Sequence, residues 1–121
     1  MLCLDNDIES ALKNDVALAR LLGGDLIYEF NEAGDREVPY PRVIFEEISN
    51  VPGLACDNFE SASRMTYRIS VCAETNLLEI VNAVERVMIS IHFVRHSTEP
   101  IRNLPIGIKG KVFLFITTKE C

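Results

Sequence analysis

An α+β fold is predicted for this 121-residue chain: an antiparallel, partly curled sheet of four to five strands, with an N-terminal helix and one long amphipathic helix packed on it. Three observations predict it. Leu77, Ile80, Val81, Val84, Val87, Met88 and Ile91 recur at helical spacing and make one apolar stripe, with Asn82, Glu85 and Arg86 off it. Residues 64–73, RMTYRISVCA, alternate Met65, Tyr67, Ile69 and Val71 against Arg64, Thr66, Arg68, Ser70 and Cys72, the pattern of a half-buried strand. Residues 111–118, KVFLFITT, are apolar on both faces, as a central strand is.

Near the N-terminus, Ile8, Ala11 and Leu12 share a helical face behind Asn6 or Asp7 as a cap. A second cap, Asp15, precedes Val16, Ala19 and Leu22 at three-residue steps, and Gly23-Gly24 supplies a left-handed stop. This predicts two short helical pieces, or one bent helix, over residues 6–22. Leu26, Tyr28 and Phe30 then alternate with Ile27 and Glu29 as a short strand. Asn31 to Pro41 carries Gly34, Pro39 and Pro41 and reads as a loop, extended at Pro-Tyr-Pro. Arg42 to Asn50 is a strand with Val43, Phe45 and Glu47 on one side and Ile44, Glu46 and Ile48 on the other. Val51 to Ser63, with Pro52, Gly53 and Asn58, reads as a second loop, too long for a hairpin turn and therefore functional or an assembly arm. Asn76 and Glu79 stand at capping-box spacing before the long helix, with Thr75 as a competing cap. HFVRHS, from His92, suits an edge strand, and Pro100, Pro105, Gly107 and Gly110 break the chain after it.

Composition sets bounds. Hydrophobic residues are 48% of the chain and charged ones 25%, which is globular rather than disordered; with 7% aromatics and no Trp the core is expected to be aliphatic. A chain of this length buries about two-thirds of its unfolded surface, so a single domain needs no disulfides. No apolar run approaches the ~20 residues that cross a bilayer, and MLCLDNDIES is acidic where a signal peptide is basic, so a cytoplasmic origin is expected. Cys3, Cys56, Cys72 and Cys121 form no zinc-site spacing.

The net charge of −6 opposes binding by phosphate neutralisation. It is uneven: residues 1–60 hold thirteen acidic and four basic residues, net −9, while residues 61–121 hold five and eight, net +3. Either folding intermingles the halves, or faces of opposite sign meet between copies of the chain.

Catalytic chemistry finds no foothold. Ser, Cys and His stand in no nucleophile arrangement, Glu46 and Glu47 face opposite sides of a strand, and the glycines do not make a phosphate loop. His92 and His96 are four residues apart but lack a further ligand at metalloprotease spacing. The expectation is a protein that is not an enzyme and takes no metal or cofactor. Arg64 and Arg68 share a strand face and, with Glu46, are candidate subunit-interface residues; Asp35, Arg36, Glu37, Asp57, Asn58 and Phe59 are candidate assembly-loop residues.

Three segments carry a family resemblance: ALKNDVALARLLGGDLIYEF, then VPYPRVIFEEIS, then RMTYRISVCAETNLLEIVNAVERVM. Their order of helix, Gly-Gly, strand ending in Tyr, a P-Y-P-x-V strand entry, an R-x-x-Y-x-I-x-V-x-A strand and a helix from near Thr75 resembles the small tail terminator, or tail completion, proteins of long-tailed bacteriophages and prophages. The resemblance covers roughly Ile8 to Met88, and the wording departs from that pattern after Ile91. It implies a structural subunit forming a ring, a hexamer, that caps the tail tube and joins it to the head connector. It also implies a place in the tail and neck of the virion, after assembly in the bacterial cytoplasm. DNA would pass through such a ring without specific binding, because acidic walls repel phosphate. The alternative is a small regulatory or ligand-binding α+β domain of a cellular protein.

Overall fold

The described residues of the computed structural model are 4–23, 27–29, 40–56, 59–102 and 104–120. In chain order they form α1 (Asp5–Lys13), α2 (Val16–Leu22), β1 (Ile27–Glu29), β2 (Arg42–Cys56), β3 (Phe59–Ala73), α3 (Leu77–Ser90), β4 (Val94–Pro100) and β5 (Lys109–Glu120).

The two-piece reading of the N-terminus holds. Ile8 and Leu12, four apart on α1, are fully buried, and Lys13 reaches back to Glu9 at 2.6 Å. The break at Asn14 and Asp15 has a local cause: the Asp15 carboxylate accepts the Leu18 N–H at 2.9 Å and opens α2. Gly23, at φ 76°, closes α2 by donating its N–H to the Ala19 carbonyl at 2.9 Å. Arg86 of α3 then donates both terminal nitrogens to the same Asp15, at 3.0 and 2.9 Å, so one side chain caps α2 and ties it to α3.

The sheet runs in the order β1-β2-β3-β5-β4 and is open. β2, β3, β5 and β4 are antiparallel as expected; β1 joins the edge of β2 in parallel, Ile27 beside Val43. Alternation assigns the faces. Val43, Phe45, Met65, Tyr67, Ile69, Val71, Phe113 and Phe115 point to one side and are buried in a single cluster with Ile8, Leu12, Leu18 and the α3 stripe. The result is two layers, helices on one face of the sheet. Each large apolar side chain of this cluster contributes about 1.5–3 kcal/mol by leaving water.

Aromatics brace the layer junction. Tyr67 meets Phe93 edge to face, centroids 5.8 Å apart at 85°, and donates its hydroxyl to the Asp5 carboxylate at 2.6 Å, pinning the start of α1 to mid-β3. Burial first, then this bond, pushes the Tyr67 phenol well above its ordinary value.

Five expectations need correction. The N-cap of α1 is Leu4, so Asn6 and Asp7 lie inside the helix rather than capping it. The core is not aliphatic throughout, since Tyr67, Phe45, Phe113 and Phe115 are its largest fully buried side chains. Residues 51–56 and 59–63 are strand rather than loop: β2 runs on to Cys56 and β3 starts at Phe59, so Val51 faces Arg64, Pro52 faces Ser63 and Cys56 faces Phe59. Pro52 and Gly53 are absorbed at register shifts between Pro52 and Leu54 and between Leu54 and Ala55, where bulges accept residues that a regular ladder rejects. At the start of α3, Asn76 occupies the cap position but is left-handed, φ 60°, with no side-chain cap bond, so no capping box forms with Glu79; its carbonyl still accepts the Ile80 N–H at 3.0 Å. Gly110 does not end order but lies inside β5, where a Cβ would come within 3.0 Å of Cys72 Sγ, Ile101 Cδ1 and Leu104 Cδ1. The edge-strand reading of the segment after His92 holds, with β4 outermost beside β5.

Candidate assembly surface

The face of the sheet opposite the helices is the surface that the fold leaves open. β2 presents Ile44, Glu46 and, past the register shift at Ile48, Ser49 there, β3 presents Arg64, Thr66, Arg68 and Ser70, and β5 presents Val112, Leu114 and Ile116, all half-buried or exposed. Its middle is concave: a depression of about 440 Å³ is lined by Ile44, Glu46, Arg68, Ser70, Ile101 and Val112. These aliphatic side chains, on a face that no described helix or strand covers, explain why β5 reads as apolar on both sides.

The candidate interface residues fall on this face, in unequal roles. Glu46 and Arg68 are cross-strand partners, and Arg68 Nη2 lies 2.5 Å from Glu46 Oε1, so this pair is satisfied within one subunit. Arg64 is exposed, at the register position facing Val51, with no ion-pair partner among the described residues. Glu47 points to the other side and receives the Asn50 side-chain amide at 3.2 Å. Of the assembly-loop residues, Asp35, Arg36, Glu37, Asp57 and Asn58 lie outside the described residues; Phe59 opens β3. Residues 31–39 of the loop assigned to Asn31–Pro41 also lie outside them. Its last part is described: Arg42 stacks on the Tyr40 ring, 4.4 Å from its centroid, next to a cis Tyr40–Pro41 bond.

His92, Arg95, His96 and Thr117 line a cleft of about 310 Å³ beside β4, and the Thr117 hydroxyl is committed to the His92 carbonyl at 2.8 Å. Among the described residues no three His, Cys, Asp or Glu side chains come together as a metal site. Cys72 is buried in β3, and burial pushes its thiol up, which keeps it protonated and unreactive at neutral pH. Among the described residues no helix is long and apolar enough to cross a membrane.

The fold and its open face define a two-layer α+β domain with an unclosed sheet. A chain in the virion of a native gene transfer agent particle has the same architecture: the two align with a TM-score of 0.61 over 94% of this chain and 92% of that one, at 13% identity. At that identity the likeness is one of fold. It extends past Ile91, where the wording of the sequence departs from the tail terminator pattern. No protein family and no curated protein matches the sequence.

Proposed function

We propose that this protein is a phage-type virion subunit, a tail terminator that assembles into a ring, closes the tail tube and joins it to the head connector. The observation that carries the reading is the two-way coverage of the structural likeness, since almost the whole of this chain matches almost the whole of a chain that stands in a virion. The ordered segments from Ala11 to Met88 that resemble tail terminators support the finer assignment. An apolar sheet face left open in the single subunit fits a protein whose final state is an assembly. In this role the protein is not an enzyme and needs no cofactor. Its partners are further copies of itself, the tail-tube protein and the head-connector protein. DNA crosses the ring lumen without specific contact, favoured by a net charge of −6.

The test is native mass spectrometry and negative-stain imaging of the concentrated protein, with and without tail tubes from the same phage or prophage. A ring of six copies of the 13.6 kDa chain, seated on tube ends, is the expected result. A fixed dimer that ignores tail tubes and is stabilised by a small molecule would instead favour the regulatory or ligand-binding alternative.

A further inference from the structure

We draw no further inference here: the strongest candidate, the depression of about 440 Å³ at the middle of the open sheet face, lined by Ile44, Glu46, Arg68, Ser70, Ile101 and Val112, belongs to an unpartnered face, and nothing in the structure shows what covers it.

Discussion

Val84 sits in the middle of α3, fully buried, in the same cluster as Tyr67, Ile69 and Val71 of β3. Replacing it with Asp removes about 1.5–3 kcal/mol of apolar burial and places a carboxylate inside the apolar cluster, while Arg86, two residues on, is held by Asp15. An unpaired buried polar group costs several kcal/mol more, or takes up a proton instead. Together these losses rival the ~5–15 kcal/mol that holds a domain of this kind folded. Val84→Ala separates the two effects, removing about two methylene equivalents and leaving a small cavity for a loss of about 1.5–2.5 kcal/mol. Urea unfolding followed by circular dichroism should show a cooperative transition at a lower midpoint for Val84→Ala and no folded baseline for Val84→Asp. A folded Val84→Asp protein with the wild-type melting temperature would refute the packing of α3 on the sheet.

Tyr67→Phe keeps the ring contact with Phe93 but removes the bond to Asp5, so it should lower the urea-derived stability by about 1–2 kcal/mol, and no loss would mean that the α1 contact to β3 contributes nothing. Arg86, then the Leu18 N–H, holds the Asp15 carboxyl below its ordinary value; a depressed folded-state value means stability that is present above the unfolded value and lost as pH falls through the folded one. Wild type should therefore lose stability below about pH 5 more steeply than Asp15→Asn, and parallel curves would exclude the clamp. The Glu46 and Arg68 pair is exposed on the Arg side, so Arg68→Ala should change subunit stability by less than about 1 kcal/mol, measured by thermal melting, while Arg64→Glu should weaken assembly in light scattering without moving the melt. Cys72 should resist iodoacetamide in native protein at pH 7.5 and react in urea; fast native labelling would contradict its burial.

Signals confined to a few neighbouring residues were legible in the sequence. Asp15 and Gly23 bracket α2 because a cap and a left-handed stop act within one helical turn, and the α3 stripe and the β3 alternation each mark one buried face. Signals that depend on a partner strand were not. Pro52, Gly53 and Gly110 read as breakers, yet the first two lie at register shifts of a long hairpin and the third makes room for Cys72, Ile101 and Leu104, whose approach no local window reveals. Asn76 has the composition of a cap and the backbone of a corner. Alternation alone puts Arg64 and Arg68 on one face, but only the β2 register shows that Glu46 already engages Arg68.

The far half of β2 has a further consequence. Among the described residues β1 pairs with β2 at Val43, Ile44 and Phe45 only, so the outer rim of β2 beyond them offers free backbone groups to any extended peptide that drifts by. That rim is kept irregular: a shift at Glu47, the missing N–H of Pro52 and two further shifts before Cys56 deny a stranger the straight, evenly spaced row it would need to zip on. Chains waiting in a crowded cell, each with an uncovered greasy face, thus have one route to precipitation made less accessible. Under the proposed function, this would let a supply of single subunits build up without turning into fibres before assembly.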